Sequence, residues 1–187
     1  MVVWVFVLKH GDEIIIKILE IVMIQIYTGD SKGKTTAAMG LALRAIGAGK
    51  KVFIFEFMKS WKSYEIEILK NLGVNVDREW NGEFIIKEPS KEQIFMVRDQ
   101  YKKVFEVYKR NFDLLILDEI VVTLHFGLLK EDDILKLMSK KPKEFELVLT
   151  GRGATQKMIQ KADLVTEMKK IKHYFDRGIK AREGIEF

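Results

Sequence analysis

The sequence predicts an α/β fold, in which a mainly parallel β-sheet is flanked by helices within a single domain. The chain has 187 residues, of which 48% are hydrophobic, so it is long and apolar enough to bury one core. Short apolar runs alternate with segments of helical periodicity, which is typical of parallel strands joined by right-handed crossovers. Several runs are rich in Val, Ile and Phe with little polar alternation, as expected of strands that helices cover on both faces.

Six apolar runs are predicted to be the strands of this sheet. In chain order they are Met23–Tyr27, Lys51–Phe57, Val74–Val76, Leu114–Leu117, Glu146–Thr150 and Leu164–Met168. Five helices are predicted between them, at Lys34–Ile46, Tyr64–Asn71, Ser90–Arg110, Glu131–Ser139 and Thr155–Lys161. The helix from Ser90 is the clearest, because Ser90 and Gln93 form a capping box ahead of apolar residues at helical spacing. The last stretch, Lys169–Phe187, is predicted to be irregular and to lie over the surface.

Residues 1–22 are interpreted as an N-terminal extension ahead of the main domain at residues 23–187. Lys17, Glu20 and Gln25 interrupt the apolar run Ile14–Tyr27, which leaves open a strand or hairpin, or a helix followed by a strand. A further alternative is that Met23 is the natural start and that residues 1–22 lie upstream of it. The apolar run Met1–Leu8 is a poor signal peptide, because it is short and no basic segment precedes it.

Composition narrows the class of ligand and the compartment. The net charge of +5 comes from 32 basic and 27 acidic residues that are interspersed, without a long basic run. This balance favours an anionic small ligand over nucleic acid, and no segment is long enough to span a membrane. The chain has no cysteine, which excludes a disulfide scaffold and a thiolate metal site and fits a reducing cytoplasm.

A glycine-rich segment between the first main strand and the first helix predicts a phosphate-binding loop. Gly29 and Gly33 permit backbone angles that bring N–H groups close to phosphate oxygens, and the helix N-terminus adds positive potential. Lys34 can reach a terminal phosphate, and the hydroxyl of Thr35 can bind Mg²⁺. The whole segment reads Thr28-Gly29-Asp30-Ser31-Lys32-Gly33-Lys34-Thr35-Thr36. The strand, loop and helix together predict a P-loop NTPase-like (RecA-like) version of the α/β fold.

The loop departs from the common pattern at one position. Thr28 stands where the first glycine is usual, and Gly29 follows one residue late. The alternative interpretation is an ordinary glycine turn with a solvated lysine.

Two further groups are predicted to meet the loop at the carboxyl edge of the sheet, where parallel sheets bind ligands. Asp118 and Glu119 end the strand Leu114–Leu117 and are candidate ligands of Mg²⁺, directly or through water. The alternative is a capping or ion-paired acidic residue. Arg152, between Gly151 and Gly153, could contact phosphate or ribose, or it could be a surface arginine in a tight turn.

Several blocks of sequence together resemble one family. In order they are Tyr27–Gly40, Arg44–Val52, Phe57-Met58-Lys59, Leu117-Asp118-Glu119, Leu149–Gly153, Ala162–Met168, Lys172-His173, Asp176–Ala181 and Gly184–Phe187. Their order and spacing are similar to those of the ATP:corrinoid (cob(I)alamin) adenosyltransferases of the bacterial cobalamin-biosynthesis and salvage type. The resemblance covers about residues 23–187.

The resemblance implies an unusual reaction, in which the Co(I) centre of a reduced corrinoid attacks the 5′ carbon of ATP and triphosphate leaves. No histidine here lies in a recognisable catalytic motif, and this reaction needs no general base because Co(I) is the nucleophile. The family orients ATP in reverse along the loop. The resemblance further implies Mg²⁺ (or Mn²⁺), an electron-donating flavoprotein and a homodimer.

The resemblance also assigns roles to residues of this chain. It implies that Gly29–Thr36 hold the triphosphate, that Lys34 neutralises it, and that Thr35 and Glu119 hold the metal, with Asp118 as a further candidate. Arg44 and Arg152 are the implied nucleotide contacts. Aromatic residues would exclude the lower axial ligand of the corrinoid, and the candidates here are Trp61, Trp80 and Phe84, each of which could instead pack in the core.

Two other functions remain open on the residues alone. The loop with Asp118 and Glu119 would also suit an ordinary P-loop ATPase or phosphotransferase. The family's glycine and glutamate after the second strand are altered to Ser60 and Tyr64, which motivates a non-catalytic carrier of corrinoid or nucleotide.

Overall fold

The computed structural model describes residues 4–10, 13–19, 23–60, 62–80, 85 and 88–186, and in 4–10 and 13–19 the backbone alone. Strands β1 (Trp4–His10) and β2 (Glu13–Leu19) pair with each other as an antiparallel hairpin. This hairpin forms its own two-stranded sheet. The division into an extension and a main domain, and the alternative start at Met23, remain predictions.

The main sheet has six strands, and all of its pairings are parallel. Its spatial order is β5-β4-β6-β7-β3-β8. The strands are β3 (Ile24–Thr28), β4 (Val52–Glu56), β5 (Asn75–Arg78), β6 (Leu114–Asp118), β7 (Glu146–Thr150) and β8 (Leu164–Glu167). The predicted α/β fold with a parallel sheet is therefore confirmed, and β7 separates the strand that precedes the loop from the strand that ends at Asp118.

The helices are α1 (Lys34–Gly47), α2 (Tyr64–Asn71), α3 (Lys91–Val107), α4 (Val122–His125), α5 (Glu131–Lys140) and α6 (Gln156–Lys161), with a 3₁₀ helix at Tyr174–Arg177. The capping box of Ser90 and Gln93 begins α3, as predicted. The α4 helix was not predicted, because four residues are too few to show a period. Among the described residues, no helix has both the length and the hydropathy to cross a membrane.

Helices cover both faces of the central strands, because neighbouring strand residues point to opposite sides. Phe55 and Leu117 lie in one core cluster with residues of α3 and α5, whereas Ile54 and Ile116 lie in a second with residues of α1 and α2. Every residue of β4 and of β6 is buried. This double coverage explains why the strands read as continuous apolar runs.

The edge strand β8 differs, since all four of its residues are exposed. The carboxyl ends of the inner strands carry buried polar side chains instead. These are Thr28 in β3, Glu56 in β4, Asp118 in β6 and Thr150 in β7. The core therefore ends at this edge in a polar layer that faces the first turn of α1.

Candidate functional site

The glycine-rich segment forms a tight loop that the chain after β8 closes on one side. Gly29 and Gly33 have φ angles of 98° and 122°. A Cβ on Gly29 would lie 2.6 Å from the carbonyl oxygen of Met168, so no larger residue fits. Met168 donates its N–H to Thr28 O at 2.8 Å and accepts from Ser31 N at 3.0 Å. Two backbone hydrogen bonds therefore tie the loop to the chain after β8.

Lys34 places its ammonium group inside this loop. Its Nζ donates to Gly29 O at 2.8 Å and to Ser31 O at 2.7 Å, and the residue is only 6% exposed. Burial lowers the pKa of Lys34, against the opposing attraction of Glu119. A phosphate in the loop would give this desolvated ammonium an anionic partner, which the neutral carbonyl groups do not provide.

Asp118 is the centre of the polar layer and is fully buried. Its Oδ1 accepts from Thr35 Oγ1 at 3.0 Å and from Thr150 Oγ1 at 2.6 Å. Its Oδ2 forms a short ion pair with Lys59 Nζ. Three elements, α1, β7 and the segment after β4, therefore converge on one carboxylate at the mouth of the loop.

Glu119 stands next to this carboxylate with a backbone that an ordinary residue rarely adopts. Its φ angle is 62°, and its N–H donates to Thr150 Oγ1 at 2.9 Å. Burial raises the pKa of Glu119, and the neighbouring Asp118 raises it further, while Lys59 and Lys34 oppose the shift. Within the described residues its carboxyl group makes no hydrogen bond, so it is free to bind a cation.

The Gly151–Gly153 turn lies on the other side of Thr28. Gly151 has a φ angle of 135°, and a Cβ there would lie 2.9 Å from Val121 Cβ. The turn is bonded to the loop strand through Gly151 N to Tyr27 O at 3.1 Å. Arg152 is exposed and close enough to influence the pKa of Lys34 and of Glu119. The structure therefore brings Arg152 to the same edge as the loop.

The roles of the other predicted site residues stay predictions. Arg44 lies in the last turn of α1, ten residues after Lys34, which is about 15 Å along a helix. Trp61 and Phe84 lie outside the described residues. Trp80 is partly buried against the larger core cluster, the placement that core packing requires, and its corrinoid role stays a prediction.

The sequence did not predict the contacts of three residues at the site, Lys59, Thr150 and Lys32. Lys59 follows the strand β4 and Thr150 ends the strand β7. A position at the carboxyl edge of the sheet marks each as a candidate site residue, but it does not identify the side chain that each one contacts. Lys32 donates to Ile185 O at 2.6 Å and to Glu186 Oε1 at 3.0 Å. The C-terminal tail is therefore attached to the loop through the side chain of Lys32.

An apolar cavity of about 440 Å³ adjoins the loop at Thr36. It lies between α1, α2 and the tail, and its walls include Met39, Leu43, Ile68 and Ile185. A ligand that the loop holds therefore has an apolar surface beside it.

Several known proteins are similar in sequence to this chain over the main sheet and the tail. A sequence model of the family described as ATP:corrinoid adenosyltransferase BtuR/CobO/CobP matches residues 20–187. The corrinoid adenosyltransferase of Escherichia coli is 32% identical over 171 residues, covering 88% of this chain and 85% of that protein. The corrinoid adenosyltransferase CobA of Salmonella typhimurium is 31% identical over 169 residues, with coverages of 88% and 85%. The corrinoid adenosyltransferase of Pseudomonas aeruginosa is 34% identical over 166 residues, covering 87% of this chain and 82% of that protein.

Proposed function

Because this chain belongs to the family of ATP:corrinoid adenosyltransferases, we propose that it transfers the 5′-deoxyadenosyl group of ATP to the Co(I) centre of a corrinoid. The products are an adenosylated corrinoid, adenosylcobalamin or adenosylcobinamide, and triphosphate. One observation carries the proposal: the buried ammonium of Lys34 lies inside the glycine-rich loop, beside the polar layer around Asp118.

The reaction matches what this edge of the sheet offers. An electron pair on Co(I) forms the Co–C bond, the C5′–O bond breaks, and its pair remains on the triphosphate oxygen. The leaving triphosphate gains one negative charge, and no proton has to move. The protein must therefore position ATP and stabilise an anion, which are the two tasks that preorganised N–H groups and buried cations perform.

We assign the triphosphate to the loop residues Gly29–Thr36. Backbone N–H groups at the N-terminus of α1 and the ammonium of Lys34 are suited to phosphate oxygens. Arg152 is suited to a second part of the nucleotide, because it is exposed at the same edge. Arg44, in the last turn of α1, is a further candidate for a nucleotide contact.

Mg²⁺ is the metal that we propose, with Mn²⁺ as its substitute. The donor set would be the hydroxyl of Thr35 and the carboxyl group of Glu119, with Asp118 behind them. In the described residues, no cluster of three or more His, Cys, Asp or Glu side chains gathers. That sparse set fits Mg²⁺, which is usually held by one or two carboxylates together with substrate phosphates. When bound, Mg²⁺ would neutralise charge on the triphosphate.

We also propose two partners. The reaction consumes a corrinoid in the Co(I) state, so an electron donor must act first, and a flavoprotein is the class that we expect. A homodimer is supported by the exposed strand β8 and the apolar residues that follow it, since parallel sheets are normally covered on both faces.

Product analysis tests the function directly. The protein is incubated with ATP, Mg²⁺ and chemically reduced cobalamin, while the cobalt spectrum and the phosphate products are followed. We expect adenosylcobalamin and triphosphate in equal amounts over many turnovers. ADP and phosphate would instead establish an ordinary ATPase, and binding without turnover would establish a carrier.

A further inference from the structure

Lys59 is a buried cation that stands beside the phosphate loop. Only 8% of the residue is exposed, and its Nζ lies 3.3 Å from Thr35 Oγ1 in addition to its ion pair with Asp118. The ion pair with Asp118 therefore places the ammonium of Lys59 at the mouth of the loop.

The backbone on both sides of this ion pair is strained. In the described part of the chain, Met58 and Glu119 are the two non-glycine residues with positive φ, at 57° and 62°. Met58 precedes Lys59, and Glu119 follows Asp118. Strain of this kind persists only where the surrounding structure enforces it, and it concentrates at functional sites. Both strained residues are chain neighbours of the Lys59–Asp118 ion pair.

Lys59 is not the only donor to Asp118. The hydroxyl groups of Thr35 and Thr150 already donate to this carboxylate. A buried ion pair is also a weak source of stability, because desolvation offsets most of its attraction. A stable fold alone therefore gives little reason for a charged lysine at this position.

The acidic side chains that act on Lys59 are Asp118, Glu119 and Glu56. Of these, Glu56 is also paired with Arg78 through its Oε2. Glu56 is fully buried, and its Oε1 has no hydrogen-bond partner within the described residues. A divalent cation at Thr35 and Glu119 would compensate these carboxylates and release the ammonium from Asp118.

We propose that Lys59 is a further catalytic residue, whose ammonium moves from Asp118 to the triphosphate when Mg-ATP binds and stabilises that group as it leaves. Only the stabilisation of triphosphate as a leaving group rests on the proposed function. A lysine side chain has a flexible four-carbon stem and three donors, so it can change partner within the few ångströms that separate Asp118 from the loop.

The first test measures the binding of inorganic triphosphate with Mg²⁺ by titration calorimetry. We expect K59M to bind it about 10- to 100-fold more weakly than the unaltered protein, which is the range for one charge-assisted hydrogen bond. K59R should recover part of the affinity. K109M is the matched control, because Lys109 is an exposed lysine at the end of α3 that pairs with Glu106. Equal affinity in K59M and the unaltered protein would overturn the proposal.

A second pair of variants guards against misfolding, because K59M leaves the Asp118 carboxylate without its cation. D118N removes the carboxylate charge and leaves Lys59 without this partner, and K59M/D118N removes both charges, so neither variant contains an unpaired Asp118 carboxylate. We expect the double variant to bind triphosphate at least about tenfold more weakly than D118N. A lysine that serves only the ion pair predicts equal affinity in these two variants, which would overturn the proposal.

Turnover separates this proposal from the proposed function. If the unaltered protein makes adenosylcobalamin, we expect K59M to lose at least about tenfold in kcat. If the unaltered protein makes none, the proposed function fails while the binding comparison still decides whether Lys59 contacts triphosphate.

Discussion

At the scale of single residues, Lys34 is the sharpest test of the loop, because among the described residues no carboxylate lies within hydrogen-bond distance of its ammonium. The bonds to Gly29 O and Ser31 O hold it in the space where phosphate oxygens would approach. We predict that Lys34→Ala weakens binding of Mg-ATP by about tenfold or more, since a charge-assisted bond is lost. Calorimetric titration measures this, and Lys109→Ala should bind as the unaltered protein does. Full activity in Lys34→Ala would mean that the loop does not bind phosphate.

Glu119 links stability and function at one side chain. Burial raises its pKa above the value in the unfolded chain, so the folded protein binds more protons between those two pKa values. Its charge therefore opposes folding above the raised pKa, and this cost disappears as the pH falls below the ordinary range of a carboxyl group. The groups that act on it are Asp118, which adds to the shift, and Lys59, Lys34 and Arg152, which oppose it.

We predict that Glu119→Gln is more stable than the unaltered protein at neutral pH and that the difference closes as the pH falls to about 4. Denaturant unfolding at several pH values measures the difference. The same variant should lose at least about tenfold in turnover, because the proposed metal loses a ligand. A stability difference that does not change with pH would show that another effect of the substitution is responsible.

At the scale of elements, the turn after β7 connects Arg152 and Glu119 to the loop. We predict that Gly151→Ala destabilises the protein by about 1–3 kcal/mol, because its Cβ would press on Val121 and Val122. Gly153→Ala is the matched control, since its φ angle is also positive, at 81°, but no atom lies within 4 Å of its Cβ. Thermal unfolding compares the two. Equal losses would show that the backbone angle, and not the close approach to α4, requires glycine at 151.

The elements also show what sequence reasoning can reach. The strands β4 and β6 were predicted because helices cover both faces, which forces a continuous apolar run. The loop was predicted because its glycines, lysine and threonines are contiguous. The contact between Lys59 and Asp118 was not, because it depends on β4 and β6 being neighbours in the sheet, although the residues are 59 positions apart. Strand order is a property of the assembled sheet, and no local pattern encodes it.

At the scale of the whole molecule, the surface beside β8 differs from the rest of the sheet. Leu164 and Val165 of β8 are exposed, and beyond the strand Ile171 and Phe175 are 86% and 71% exposed. Exposed apolar side chains in an edge strand, such as Leu164 and Val165, are typical of a surface that another protein covers. A second copy of this chain is the partner proposed above, because a symmetric dimer would bury the same residues from both copies.

We predict that Ile171→Asp/Phe175→Asp weakens the dimer by at least about tenfold, because each aspartate would lose its hydration in an apolar interface. Sedimentation velocity over a range of concentrations measures the association. Phe95→Asp is the matched control, since Phe95 is 69% exposed on α3 and should leave association unchanged. If both variants sediment as the unaltered protein does, the β8 surface is not the dimer contact. If the unaltered protein is a monomer at every concentration, the homodimer itself is excluded.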